Sequence, residues 1–408
     1  MALPVIVLTA LAWSAVLLAW IPSAFFVLEI ALAWRCLARP AERSLDTPLL
    51  TSPEAGADSV TVLIPAHNEA GGIAHTLAAV RAAMRPQDRL LVVADNCTDE
   101  TAAVAASFGA EVLEREHATL RGKSYALAAG VAHLQAAPPA MLLILDADCQ
   151  IGATFIVHLA QRCAERKTPV QALYLMTAAA GDTRPSAVLA EFAWRIRNWA
   201  RPLGVRKLGM PAALNGSGMI FPWQQICAID LANGNLSEDY ALGLDLVRAG
   251  HSPWFDDAVR VTSVFPSSVK ARAVQRTRWE HGHLNLIIGT APRLLLEGLR
   301  AKHWALVATA CDLVVPPLAL LSMLALSASG LAALVFFLGG SPEPLAWALA
   351  CDFLLALSLI LAWFGWGRGL VSARVLAAIP GYMVSKINLY SRFVTAREKQ
   401  WKRTERDG

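Results

Sequence analysis

Asp146-Ala-Asp148 closes an apolar run, Met141–Leu145, with two carboxylates one residue apart. Carboxylates so placed turn together into a cleft and hold a hard divalent cation, Mg2+ or Mn2+, whose shell phosphate oxygens complete. A capping Asp with a solvated neighbour has the same sequence, so the pair gains its weight from the strand before it and from Asp95, which ends another. Ser237-Glu238-Asp239 precedes an amphipathic stretch, Tyr240–Ala249. Ser237 as N-cap with two acids in the first turn accounts for all three residues. Two adjacent acids nevertheless exceed what a cap requires, and one has the chemistry of a general base. Gln275-Arg-Thr-Arg278-Trp279, followed by Glu280-His281-Gly282-His283, places Gln275, Arg278 and Trp279 on one helical face at i, i+3 and i+4. The guanidinium suits a diphosphate and the indole suits a sugar or base. A basic helix lying on lipid headgroups reads the same way.

The elements that must hold these groups follow a simple alternation. Val60–Ile64, Leu90–Val93 and Met141–Leu145 are short apolar runs of strand type, with helical patterns at about Gly72–Ala83 and Glu100–Phe108 between them. Such alternation predicts an α/β fold, a mostly parallel sheet with helices on both faces. Ligands then bind beyond the carboxyl ends of the strands. Those ends carry Pro65-Ala-His67-Asn68-Glu69, Ala94-Asp95-Asn96-Cys97-Thr98-Asp99 and Asp146-Ala-Asp148. No Gly-x-Gly-x-x-Gly follows the first strand, which disfavours a dinucleotide-binding fold.

The composition places this domain between apolar ends. Of 408 residues 55% are hydrophobic and 17% charged, against roughly 25% charged in an ordinary soluble chain. Leu3–Trp34 is almost unbroken, with Glu29 its one charge; Trp304–Leu338 is interrupted by Pro316-Pro317; Leu345–Trp366 is a third run. Each is long enough to cross a bilayer, and the first has none of the cleavage features of a secretory signal. Arg35, Arg39 and Arg43 follow the first run, Arg368 and Arg374 the third, and Arg392, Arg397, Lys399, Lys402, Arg403 and Arg406 fill the tail. The loop Gly339–Pro344 has no Lys or Arg. The positive-inside rule then predicts three spans, with residues 35–303 and the tail in the cytoplasm. Residues 371–394 mix apolar and basic residues and read as interfacial helices rather than a fourth span. The expected organisation is a transmembrane helix at 1–34, a linker at 35–57, a cytoplasmic domain at 58–285, an interfacial helix at 286–303, two transmembrane helices at 304–366, and interfacial helices with a basic tail at 367–408. A net charge of +4 is too mild for a nucleic-acid partner and fits a protein beside anionic lipid. Seven scattered cysteines with no C-x-x-C pair suit a reducing compartment.

Taken in order, His67-Asn68-Glu69, Asp95, Asp146/Asp148, Glu238-Asp239 and Gln275-x-x-Arg278-Trp279 resemble the family 2 inverting glycosyltransferases of the membrane-integrated branch, which includes cellulose, chitin and hyaluronan synthases and ceramide glucosyltransferase. The resemblance covers about residues 58–285 and implies a GT-A type domain that binds a nucleotide-sugar. By that resemblance Asp95 hydrogen-bonds the base of the donor, beside Glu69, and His67 takes the place where the family often has a stacking Tyr. Lys123, in Arg121-Gly-Lys-Ser124, reaches the nucleotide or diphosphate; the family often has a second Gly where this chain has Ser124. Asp146 contacts the ribose or donor and Asp148 the metal, while Gln150 resembles a metal ligand of polyprenyl-phosphate mannosyl synthases. Asn215, Gly216, Ser217 and Gly218 resemble the loop that lines the acceptor site. Asp239 matches the general base, with Glu238 beside it, and Gln275, Arg278 and Trp279 bind diphosphate and acceptor.

The implied reaction moves a sugar from a nucleotide-sugar, usually UDP-linked in this family, to a membrane lipid or glycan acceptor, with Mg2+ or Mn2+ as cofactor. A processive polysaccharide synthase that elongates and exports a glycan carries the same Gln-x-x-Arg-Trp motif. A nucleotide-sugar-binding subunit that only scaffolds a complex is the reading from another class, and the intact carboxylate set argues against it. Ala- and Arg-rich usage points to a GC-rich bacterium and its plasma membrane.

Overall fold

The structure, a computed structural model, describes residues 3–37, 58–232, 238–266 and 268–395. The expectations for Ser237, for Arg39, Arg43 and most of the 35–57 linker, and for the tail basic residues from Arg397 to Arg406 lie outside the described residues.

The chain opens with α1 (Leu3–Leu37) and then runs β1 (Val60–Ala66), α2 (Ile73–Ala83), β2 (Arg89–Asp95), α3 (Thr101–Ser107), β3 (Glu111–Arg115), α4 (Lys123–Leu134) and β4 (Met141–Ile144). There follow β5 (Gln150–Ile151), α5 (Phe155–Arg166), β6 (Val170–Thr177), α6 (Pro185–Arg195), a π-turn at Ile196–Ala200, α7 (Arg201–Lys207), β7 (Met219–Pro222), α8 (Trp223–Ile226), α9 (Glu238–Arg248) and β8 (Trp254–Val264). The rest is helical: α10 (Val269–Gly289), α11 (Ala291–Ala301), α12 (Trp304–Leu313), α13 (Leu318–Phe337), α14 (Glu343–Ala362) with a π-turn at Trp363–Gly367, α15 (Ala373–Ala377) and α16 (Ile379–Thr395). These elements form two compact units. One contains Pro40–Gly181 and Gly209–Trp279; the other contains Met1–Arg39, Asp182–Leu208 and Glu280–Glu398. Residues 182–208, inside the stretch read from sequence as one domain, thus belong to the second unit.

The first unit is built on an eight-stranded sheet in the order β3-β2-β1-β4-β7-β6-β8-β5. β3, β2, β1 and β4 are parallel, as are β6 and β8; β7 runs antiparallel to both its neighbours and β5 antiparallel to β8. β1 and β4 are continuous apolar runs because both faces are covered. α4 and α9 bury Leu127, Val131, Leu134, Leu242 and Leu246 against Leu63, Leu91, Leu142 and Ile144. Gly130 of α4 is small by necessity, since a Cβ there would come 2.6 Å from a Leu63 methyl. The chain moves outward from β1 to β3 and returns to the other side of β1 as β4. That reversal opens a crevice beyond the carboxyl ends of β1 and β4, where such sheets bind ligands.

Gly218, just before β7, has φ +68°, and a Cβ there would approach the Val261 side chain to 2.7 Å. Gly218→Ala combines left-handed backbone strain with overpacking, so it is expected to cost at least about 2 kcal/mol. A thermal melt indistinguishable from wild type would refute that origin of the glycine.

In the helical unit, Val5–Leu37, Leu318–Phe337 and Glu343–Gly367 are long and apolar enough to cross a membrane. The apolar run Trp304–Leu338 is not one helix: α12 ends at Leu313 and α13 starts at Leu318. Pro316 and Pro317 supply no N–H and force the residue before each out of the α region. α15 and α16 fill the segment expected to be interfacial, and α11 buries Ala291, Leu294 and Gly298 while exposing Leu295, Leu296 and Leu299. Glu29 is buried and paired with Arg201 at 2.5 Å, and Arg201 also binds the Asp312 carboxylate at 2.8 Å. A Cβ at Gly204, one turn beyond Arg201, would collide with the Glu29 carbonyl. Of the residues after Trp279, Glu280 pairs with Lys386, His281 donates to the Leu389 carbonyl at 3.0 Å and His283 to that of Leu313 at 3.2 Å.

Candidate active site

β1 and β2 end in turns that lock each other. Asn68, two residues beyond β1, and Asn96, directly after β2, both have φ 52°, a left-handed conformation that Asn tolerates well. The Asn68 carboxamide accepts from the Thr98 N–H at 2.7 Å and donates to the Thr98 hydroxyl at 3.1 Å. The Glu69 N–H donates to Thr101 Oγ1 at 2.8 Å. His67 Nδ1 donates to the Asp95 carbonyl at 2.6 Å. The Asp95 carboxylate is buried and accepts from Arg115 at 2.5 Å and from Asn96 Nδ2 at 2.9 Å. Arg115, which also donates to the Leu120 carbonyl, ends the edge strand β3 and was not singled out in the sequence.

Lys123 is the first residue of α4, turned inward after Gly122 at φ +118°. Its ammonium donates to the Asp146 carboxylate and, at 2.6 Å, to the Gly216 carbonyl. The same loop is pinned by Ser217, whose hydroxyl accepts from the Asp146 N–H at 3.0 Å and contacts Cys149 Sγ at 3.2 Å. Gln171, fully buried in β6, completes the clamp: its amide donates to the Ser217 carbonyl and its oxygen accepts from the Asn215 N–H. Neither Gln171 nor Ser263 carried any signal in the sequence, although Ser263 donates to Asp148 Oδ2 at 2.5 Å. The Gly218 N–H donates to the Ile144 carbonyl at 3.0 Å.

Glu238 and Asp239 open α9. Asp239 Oδ1 accepts from the Tyr240 N–H at 2.9 Å. A Cβ on Gly216 would lie 3.5 Å from both Asp239 Oδ2 and Lys123 Nζ, an ordinary contact, so it is the φ of +87° rather than space that favours glycine here. Lys123, Ser124, Gly216, Glu238 and Asp239 line one pocket, floored by Leu127, Met219 and Leu242. Desolvation pushes Glu238 up to about 7 and the Asp239 charge adds to it, against the opposing pull of Lys123 and Arg278. Burial works to lower the Lys123 pKa, but Asp146, Glu238 and Asp239 outweigh it and hold it above the ordinary lysine value.

The structure therefore brings Lys123, Asp146, Gly216, Ser217, Glu238 and Asp239 together, with Arg278 close enough to act on Glu238. Gln275 is buried on α10, and Arg278 and Trp279 are half-buried. Gln150 lies exposed on the short β5, paired with Thr262 of β8. One oxygen each of Asp146 and Asp148 and the Cys149 sulfur lie within 4.8 Å of one another. Burial, with the Asp148 charge, pushes the Cys149 thiol well above its ordinary value, so it stays protonated. The anionic donors left are carboxylate oxygens, the set that Mg2+ or Mn2+ takes and softer metals do not.

The family model described as "Glycosyltransferase like family 2" matches residues 57–282. Among curated proteins, "Probable glycosyltransferase YdaM" of Bacillus subtilis (strain 168) is 26% identical over 256 residues, 56% of either chain. A 4,4'-diaponeurosporenoate glycosyltransferase of Staphylococcus aureus (strain bovine RF122 / ET3-1) is 41% identical over 78 residues, 18% of this chain and 20% of that one. The chain thus spans about half the length of the first relative and a fifth of the second. Among solved structures, a mannosyltransferase from Pyrobaculum calidifontis in complex with GDP-Man and Mn2+ superposes with a TM-score of 0.53 at 17% identity, covering 93% of this chain and 100% of that one. At that identity the likeness concerns the GT-A fold alone.

Proposed function

The chain belongs to glycosyltransferase family 2, and from that premise we propose that it moves a sugar, with inversion at C1, from a UDP-linked donor to a membrane lipid or glycan acceptor. What supports this reading is one pocket lined by Asp239, Glu238, Gly216 and Lys123, whose ammonium is hydrogen-bonded to the donor-side Asp146. A sugar hydroxyl is a weak nucleophile, so Asp239 takes its proton as the bond to C1 forms. Direct displacement needs that base and no covalent nucleophile. The leaving diphosphate gathers negative charge, and Lys123 and Arg278 meet it there. Asp148, with Gln150, would hold the Mg2+ or Mn2+ ion, which supplies further positive charge to the diphosphate when bound. Asp95, His67 and Glu69 hold the base, and Asn215 to Gly218 with Glu238, Gln275 and Trp279 line the acceptor side. The three long apolar helices anchor the enzyme in the plasma membrane of a bacterium, with the sheet unit cytoplasmic.

Incubating membranes that contain the protein with a panel of UDP- and GDP-sugars, followed by mass spectrometry of lipids and glycans, should reveal one new glycosylated product and released nucleoside diphosphate. No product with any donor would refute the transferase reading. The orientation is checked separately: a reporter cysteine in the tail should resist labelling from outside intact cells, and strong labelling would remove the three-span arrangement.

A further inference from the structure

Lys123 is held by groups from separate elements. Its ammonium donates to Asp146, beyond β4, and to the Gly216 carbonyl, in the loop before β7. It lines the same pocket as Glu238 and Asp239, at the start of α9, and Nζ and Asp239 Oδ2 each lie 3.5 Å from the point where a Gly216 Cβ would stand. Among the described residues, the charged groups that act most on Glu238 are Asp239, Lys123 from α4 and Arg278 from α10, and Lys123 acts more strongly than Arg278. Two adjacent carboxylates removed from water repel each other, and in the absence of a cation one of them keeps its proton.

We propose that Lys123 is a positioning residue that ties the donor-side Asp146 to the acceptor-side pair Glu238/Asp239 and keeps that pair ionised for proton transfer. The proposal rests on the reading of this pocket as the transferase active site and gives Lys123 a role separate from holding the diphosphate. An incoming nucleoside diphosphate presents a second anion to the same ammonium, so donor occupancy and the ionisation of the pair are linked.

The test needs neither donor nor acceptor. Infrared titration of the purified full-length protein follows the protonated-carboxyl band of the pair, assigned by its loss in Glu238→Gln or Asp239→Asn, while the amide band reports folding. In Lys123→Met the midpoint of this band should move up by about 1–3 pH units, the size expected when an opposite charge a few ångströms away is removed. Lys123→Arg should return it towards wild type, and Lys123→Gln serves if the Met variant fails to fold. An unchanged midpoint in a folded, uncharged variant would overturn the proposal, as would a band that neither acid substitution removes. Absence of sugar transfer in every assay would overturn the function instead and leave this titration intact.

Discussion

Asp239→Asn is expected to lower kcat by at least ~10²-fold while donor affinity stays nearly unchanged. General-base help is worth about 10²–10⁴ and acts only in the transition state. Asp239 and Glu238 are successive residues of α9, and successive helical residues point about 100° apart, so the two cannot present themselves to C1 alike. Asp239 has one oxygen on the Tyr240 N–H and the other on the side of Gly216 and Lys123, the geometry of an aimed carboxylate. Glu238→Gln should cost less in rate and little in stability, because burial and the Asp239 charge already disfavour its ionised form. The pH profile should follow the pair: with Glu238 pushed up to about 7, kcat falls as pH drops below neutrality and the pair gains protons. Measuring kcat and donor Kd for both variants decides the assignment, and a fast Asp239→Asn enzyme beside a dead Glu238→Gln one would reverse it.

The second large effect belongs to Asp148. Asp148→Asn keeps the shape and a partner for Ser263 but removes the charge that a hard cation requires. Activity should fall by more than the ~10–100-fold that follows loss of a group merely orienting a metal ligand. Donor affinity should also lose much of its dependence on added Mg2+ or Mn2+. The decisive comparison is donor Kd with and without EDTA in both proteins; a wild-type enzyme fully active in EDTA would remove the metal from the reaction.

β1, β2 and β4 were legible because strands covered on both faces leave apolar runs of four or five residues. β3 was not, since it is an edge strand that exposes Glu111 and Glu114. β8 hides for a different reason: Asp256-Asp257 reads as a turn, yet the Asp256 carboxylate is buried and held by His158 at 3.2 Å and Arg162 at 3.0 Å. β6 is interrupted by Gln171, whose amide serves the loop before β7 rather than the core. The strand-end carboxylates Asp95, Asp146 and Asp148 announced themselves by position, because acids stand out at the ends of buried apolar strands. Their partners did not. Ser217 is 71 residues from Asp146 and Ser263 115 from Asp148, distances over which no local pattern connects a hydroxyl to a carboxylate. The parting of α12 from α13 was written in Pro316-Pro317 but masked by the apolar residues on both sides.

The ion triad of Glu29, Arg201 and Asp312 sets a problem of timing during synthesis. Glu29 leaves the ribosome 172 residues before Arg201, an interval of roughly ten to thirty seconds at ordinary bacterial and eukaryotic elongation rates. Throughout it, the first hydrophobic helix carries a lone acid with no counter-ion of its own. An acid within an apolar helix is admitted to the bilayer at a cost of a few kcal/mol, which the remaining residues of α1, with a single charge in its apolar stretch, are long and apolar enough to cover. If α1 crosses a bilayer while the chain is still being made, as the proposed anchoring implies, it does so before the partner of Glu29 exists. Arg201→Ala would make that transient condition permanent, leaving the buried Glu29 carboxylate without the guanidinium that faces it in the finished fold.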